Sequence, residues 1–375
     1  MKGIYLSICD LENENSGVSK KINMQLRMFK KLGCSIETPT FNDNTIYEKI
    51  INKVRGIIPF IANSFSINIK KYIESIELDE IDFIYIRKTT LDKMFIEVLK
   101  NIKMKNSNIK IIMEIPTYPV DNEYNTIIKK LNLNKEKKIR KYLNKYIDRI
   151  ITFSLDEEIF GIKAINISNL IEKERIEPKR VSNNREIHII AVALFTFWHG
   201  YDRFIEGMKN YYSNNVNKEI ILHLVGEGPE IKKYKLLVEK YNLEKYIVFH
   251  GKKSGHELDN IYDRCELALD TMGRHRGKIY YNSTLKGKEY GAKGLPIISG
   301  VATELDYDKG YKYYMRVDAD DTPINILKII EFYNFIYDSS ESKEEIINNI
   351  RGYTVDKFDI NNGFKPVIDY LRDTK

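Results

Sequence analysis

The chain has no run of about 18 uncharged apolar residues, the length a membrane-spanning helix needs, so no such helix is expected. Cysteine is scarce. Cys9, Cys34 and Cys265 are odd in number and widely scattered, with neither a metal spacing nor a disulfide framework, and a reducing cytoplasm is the expected setting. No short-period repeat, low-complexity tract or coiled-coil heptad is present. The N-terminal "MKGIYLSICDLENEN" turns acidic after a short apolar run. That run reads as a first strand and is too short for a signal peptide.

What is there suits an ordinary globular protein. The 375 residues are 43% hydrophobic, enough for two domains with sizeable cores. The formal net charge is +7, which suits nucleic acid, an anionic membrane surface or acidic substrates. No helix-turn-helix, zinc spacing or RNP motif supports the first. Much of the charge is local: residues 127–149 hold nine Lys or Arg against Glu136 and Asp148, and 47–73 form a second basic and apolar stretch. These read either as solvated helix faces or as a surface resting on anionic lipid headgroups at the inner face of the cell membrane.

Strand and helix patterns alternate from end to end, the rhythm of a parallel α/β sheet. "GIYLSI" (3–8), "DFIYIRK" (82–88), "IKIIMEIP" (109–116), "RIITFS" (149–154) and "AINISN" (164–169) read as strands. Val18, Ile22, Leu26 and Phe29 have a helical period, closed by Gly33. The polar seam 172–186 reads as a linker. The rhythm then restarts with strands at 187–195, 219–226, 246–251, 266–271 and 296–299. The expected domains are 1–175 and 176–355, followed by a helix over 356–375 that returns to the first domain.

Ligands of open α/β sheets bind at the carboxyl ends of the strands, so the loops after strands carry the candidate chemistry. Gly17 opens a helix whose N-terminus suits a phosphate, without the G-x-G-x-x-G pattern of dinucleotide sites. Gly226 and Gly228 bracket a turn before Pro229; ordinary strand–helix punctuation explains them equally well. Residues 195–207 hold the single tryptophan, Trp198, with His199, Asp202 and Arg203. Residues 271–296 carry Arg274, His275, Arg276, Lys278, Lys286 and Lys288, with Ser283 or Thr284 as a helix cap and Glu289 one turn in. Cations at a helix N-terminus suit a diphosphate, and Glu289 can accept two sugar hydroxyls. The plainer reading of Lys286 and Glu289 is an i,i+3 surface pair.

These segments together resemble the retaining, nucleotide-sugar-dependent glycosyltransferases of family 4, with the GT-B fold: two Rossmann-like, doubly wound α/β domains and an interdomain cleft. "AVALFTFWHGYDRFIEG", "LHLVGEGPE" and "STLKGKEYGAKGLPIIS" are similar to the family's "VGRLxxxKGxDxLIEA", "LxIVGxGP" and "LEAMACGTPVIAS" segments. Glu289 matches the second Glu of the family's E-x7-E motif, while the first falls on Tyr281, and the family's Arg and Lys fall near Leu194 and His199. The chain resembles a variant with an H-G-Y-D-R loop and an S-x-L-K-x-x-E-Y helix.

The resemblance implies sugar transfer from a nucleoside diphosphate sugar, UDP rather than GDP, to a glycan or polyprenyl-linked glycan, as in bacterial surface polysaccharide synthesis. It implies no cofactor and no metal. Catalysis falls to Lys286, Glu289 and Arg203. Donor contacts fall to Gly17, His199, Gly226, Gly228, Lys252, Arg276, Ser283, Thr284 and Leu285, and acceptor contacts to Glu114, Thr117, Tyr118 and Asp121. "DADD" (318–321) reads as a capping turn. A degenerate sugar-nucleotide or glycan-binding protein is the alternative, and it would bind donor without turning it over. A sugar-nucleotide epimerase would convert donor without acceptor.

Overall fold

The computed structural model describes residues 1–8, 11–12, 17–39, 41, 62–121, 127–214, 216 and 218–373. The first fifteen residues of the basic 47–73 stretch lie outside them. The chain forms two compact units, Met1–Ile167 with Phe364–Lys375, and Ser168–Gly363.

The first unit runs β1 (Lys2–Leu6), α1 (Gly17–Lys31), β2 (Ser35–Glu37), α2 (Ser64–Ser75), β3 (Phe83–Arg87), α3 (Lys93–Lys105), β4 (Lys110–Ile115), α4 (Ile127–Arg140), β5 (Arg149–Thr152), β6 (Glu158–Ile159) and β7 (Ile162–Asn166). Its sheet has the order β2-β1-β3-β4-β5-β7-β6. All neighbours are parallel except the β6–β7 hairpin. β3 is buried along its whole length, as expected where helices cover both faces of a parallel sheet. Helix starts follow local chemistry. Asn63 accepts the Ser66 N–H at 2.8 Å and Asp92 accepts the Phe95 N–H at 2.9 Å.

The second unit runs β8 (Ile187–Val192), α5 (Tyr201–Tyr212), β9 (Ile220–Val225), α6 (Ile231–Lys240), β10 (Ile247–Gly251), α7 (Gly255–Tyr262), β11 (Leu267–Leu269), α8 (Leu285–Lys293), β12 (Ile297–Ser299), β13 (Tyr314–Arg316), α9 (Ile326–Tyr337), α10 (Lys343–Phe358) and α11 (Ile360–Gly363). Its parallel sheet has the order β10-β9-β8-β11-β12-β13. α12 (Lys365–Arg372) belongs to the first unit. There Phe364 packs edge-on against Phe29 at 5.3 Å, and the Lys110 ammonium donates to the Tyr370 carbonyl at 2.7 Å.

The polar seam is not a free linker. The Lys179 N–H donates to the Lys293 carbonyl at 2.9 Å, and the Arg180 N–H to Asp263 at 2.8 Å. Charged side chains there read as solvated, but their backbone is bonded along the second unit.

Three histidines form a hydrogen-bonded chain across neighbouring strands. His188 Nδ1 lies 2.8 Å from His223 Nε2, and His223 Nδ1 lies 2.9 Å from His250 Nε2. Burial holds His223 down at about 3, with His188, His250 and Arg264 adding to the depression. Burial also lowers His250, helped by Arg264 and Lys253. The His223 ring therefore stays neutral when folded at pH values where an unfolded histidine, near 6.5, takes up a proton. Its stabilisation is complete above that value and falls as pH drops through it, by about 1.4 kcal/mol per pH unit. Thermal melts between pH 7.5 and 5, above the carboxylate range, are expected to show a falling Tm. A His223→Gln variant is expected to fall less steeply. A flat profile in the unsubstituted protein would show that the chain carries its proton without cost.

Candidate functional site

The site is built where β8, β9 and β11 end and α8 begins. Gly226 and Gly228 have φ values of 131° and 144°, a region closed to side chains. A Cβ on either would overlap the carbonyl of Ala193 or Phe195. The glycines therefore let the loop after β9 lie against the loop after β8, and the Gly226 N–H donates to the Gly251 carbonyl at 2.7 Å. Residues 196–200 pack equally closely on 271–273. The Met272 N–H donates to the His199 carbonyl at 2.7 Å, and a Cβ on Gly200 would come within 2.6 Å of the Gly273 nitrogen.

Thr284 caps α8. Its hydroxyl oxygen accepts the Gly287 N–H at 3.2 Å and its proton goes to the Asp270 carboxylate. The N–H groups of Leu285 and Lys286 belong to the first turn and have no intrahelical acceptor. Lys286 turns back over this end, donating to Thr271 Oγ1 at 3.1 Å with Asp270 Oδ1 at 3.7 Å. Burial lowers the Lys286 ammonium. Asp270 and Glu289 oppose the shift and Arg274 adds to it. His199 is buried, and Nδ1 accepts the Thr196 N–H at 3.0 Å. Burial, then Lys286 and Arg274, hold it at about 2. The ring is thus neutral, with its proton on Nε2. Arg274 lies 5.6 Å from the Trp198 ring. The structure therefore brings Lys286, His199, Thr284, Leu285 and Glu289 together, and adds Asp270, Thr271 and Arg274. Asp270 and Thr271 end the apolar "ELALDT" segment. Their position after a strand was the one signal that could have singled them out.

Other expected residues take structural roles. Arg203 is 2% exposed. It donates to the carbonyls of Thr322 (2.8 Å), Met272 (2.5 Å) and Asp318 (3.0 Å) and to Asp320 (3.1 Å). It is a strut, corrected from a catalytic cation because its nitrogens are spent on protein acceptors. Asp320 also accepts the Thr322 N–H at 2.9 Å, as a capping turn would. Arg276 bridges Asp202 (3.0 Å), Asp321 (2.6 Å) and the Phe197 carbonyl (3.0 Å). Burial alone would lower it, but Asp202 and Asp321 hold it above its ordinary value. Ser283 is likewise tied inward, accepting the Asn169 N–H at 2.8 Å. Lys288 pairs with Glu304 at 2.6 Å over the Phe358 ring. Lys252 is exposed beyond β10.

In the first unit Gly17 begins α1 and is exposed. Glu114 is fully buried and accepts from Gln25 and Tyr85, both at 2.6 Å, and from Arg87. This corrects its reading as an acceptor contact, because both oxygens are filled from within. Asp121 pairs with Arg140 at 2.7 Å and Lys137 at 3.0 Å. Thr117 and Tyr118 are half-buried. On α4 and beyond it Lys130, Lys138, Lys141 and Lys145 are exposed beside exposed Leu131 and Tyr142. Among the described residues no helix is long and apolar enough to cross a membrane.

The fold has well-matched solved relatives. Sucrose-phosphate synthase from Thermosynechococcus elongatus superposes with a TM-score of 0.68 at 13% identity, covering 99% of this chain and 98% of that one. HepE from Anabaena in complex with UDP gives a TM-score of 0.63 at 12% identity, covering 99% of both chains. The fold is GT-B. Within this GT-B chain, residues 172–273 match the family model described as "Glycosyl transferases group 1". That span contains His199, Gly226, Gly228, Asp270 and Thr271, and ends before α8. Protein CapJ of Staphylococcus aureus is 26% identical over 205 residues, 53% of this chain. The match spans about half, 49%, of that curated relative.

Proposed function

We propose that this GT-B chain is a retaining glycosyltransferase. It would move a sugar from a nucleoside diphosphate sugar, UDP-linked, to a glycan or lipid-linked glycan acceptor in surface polysaccharide or glycoconjugate synthesis. One observation carries the reading. The half-buried Lys286 ammonium, the neutral His199 and the capped N-terminus of α8 converge at the carboxyl end of a parallel sheet. The group 1 match supports it, as does the HepE relative, whose structure holds UDP.

Breaking the glycosidic bond puts negative charge on the departing diphosphate. Lys286 and the first-turn N–H groups of α8 stabilise that charge as it develops, in a partly dry site where such contacts are strong. His199 is too weakly basic to exchange protons near neutral pH. It acts as an N–H donor from Nε2 and holds no net charge. Glu289, on the same helical face as Lys286, accepts hydroxyl hydrogen bonds from the donor's sugar or ribose.

The test uses the single tryptophan. Trp198 fluorescence is followed while UDP, GDP and their sugars are titrated, and donor turnover is then assayed with and without acceptor glycans. A saturable response to a uridine nucleotide, with transfer that preserves anomeric configuration, is the expected result. Saturable binding without turnover would favour the degenerate binding protein, which the tyrosine at 281 and the exposed Leu194 motivate. No response to any nucleotide would overturn the proposal.

A further inference from the structure

Asp270 is a fully buried carboxylate whose charge the fold alone does not need. It follows β11, and its N–H continues the ladder by donating to the Ile298 carbonyl at 2.9 Å. Its Oδ2 accepts the Thr284 hydroxyl proton, and the Thr284 oxygen accepts the Gly287 N–H at 3.2 Å. An asparagine carbonyl would accept that hydroxyl as well, without the cost of burying a charge. The helix cap therefore explains an acceptor at this position but not a negative one.

Among the described residues the ion-pair partner of Asp270 is Lys286, 3.7 Å from Oδ1. Thr271 joins the two more closely. The Lys286 ammonium donates to Thr271 Oγ1 at 3.1 Å, and the Thr271 hydroxyl donates to Asp270 Oδ1 at 3.3 Å. One carboxylate thus reaches the ammonium through one oxygen and the first turn of α8 through the other. All of these residues lie within the second unit. The groups that face Lys286 come from four places: Asp270 and Thr271 after β11, Arg274 from the turn that follows, Glu289 from α8 and His199 from the loop after β8.

We infer that Asp270 is a positioning residue of the proposed diphosphate site, holding the Lys286 ammonium through Thr271 and the amino end of α8 through Thr284, so that both donors are set before an anion arrives. It acts through these groups and touches no substrate itself. Burial lowers the Lys286 ammonium; Asp270 is the strongest opposing influence, Arg274 adds to the depression and Glu289 opposes it. The carboxylate therefore keeps Lys286 charged as well as placed. Donors fixed in advance cost no reorganisation when charge develops on a leaving group. What binds there rests on the transferase reading; the hold of Asp270 on Lys286 stands without it.

The test is a pH titration by NMR of the full chain with 13C-labelled lysine Cε, the Lys286 signal being assigned by its absence in Lys286→Arg. Asp270→Asn keeps an acceptor for Thr284 and removes the charge. It is expected to lower the Lys286 midpoint by one pH unit or more, about tenfold in proton affinity, and Asp270→Glu is expected to bring it back toward the parental value. A residue that served only the cap would leave the midpoint in place, so an unchanged midpoint in Asp270→Asn overturns the inference. If that variant fails to fold, Thr271→Val cuts the link to Lys286 and spares the cap; a fall in the midpoint is again expected, and an unchanged one overturns the inference. UDP affinity, followed by Trp198 fluorescence over the same pH range, is expected to weaken above the midpoint, and therefore at lower pH in Asp270→Asn. Lys286→Arg is expected to remove that dependence. UDP binding with an unmoved Lys286 midpoint removes the positioning role and leaves the transferase. A moved midpoint with no nucleotide binding removes the transferase and leaves Asp270 holding Lys286.

Discussion

Lys286→Ala is expected to lower kcat/KM for the sugar nucleotide by about 10²–10³-fold, the usual effect of removing one preorganised donor to developing charge. The Lys286 ammonium sits over the N-terminus of α8 within reach of Thr271 and Asp270. A diphosphate placed there would meet it in a partly dry environment. The fold should survive the change, because Asp270 keeps its bonds from Thr284 and Thr271. Thermal melting would confirm that, and Trp198 fluorescence would report the lost affinity for UDP. Glu289→Ala should behave differently, raising KM for sugar nucleotides while leaving catalysis partly intact, since hydroxyl contacts orient the donor. A Lys286→Ala protein that binds and turns over donor normally would remove the phosphate role from this helix.

Arg203→Ala should act on stability instead. The guanidinium is buried and bonded to three backbone carbonyls and Asp320. Removing it leaves those acceptors without their donor, a loss of about 3–5 kcal/mol, as for other buried charged groups cut from their partners. Chemical denaturation should show the midpoint falling, while nucleotide affinity of the remaining folded protein stays near that of the unsubstituted chain. Normal stability with abolished turnover would restore Arg203 to the catalytic group.

The two experiments separate residues that look alike in sequence. Arg203, Arg276, Lys286 and Lys288 are all cations in or near loops that follow strands. Only the packing distinguishes them. Lys288 points into the second unit and meets Glu304, whereas Lys286, two residues earlier, points over the helix end. A helix turns each successive side chain by about 100°, so neighbouring lysines need not share an environment. Glu114 shows the same limit in a strand. It lies near the end of β4, where loop residues bind ligands, but its carboxylate is met by four donors, Gln25 and Lys21 from α1 and Tyr85 and Arg87 from β3.

Periodicity and punctuation in the chain determined much of the architecture. Alternating apolar segments and helical periods placed the parallel strands within a few residues, because strand and helix repeats are local properties of the backbone. Gly226 and Gly228 were legible as a turn, and Ser283 or Thr284 before α8 as a cap, for the same reason; packing chose Thr284. Tertiary structure alone decided what lies beyond that reach. It added β13, a three-residue strand too short to show a period. It bonded the polar 172–186 seam along the second unit, and it converted Arg203 and Glu114 from exposed candidates into buried supports. Those outcomes depend on partners far away in sequence, such as Arg203 with Thr322 or Glu114 with Gln25. A charged side chain is held or left open according to which donors and acceptors the fold brings within about 3 Å of it, and that distance is set by packing.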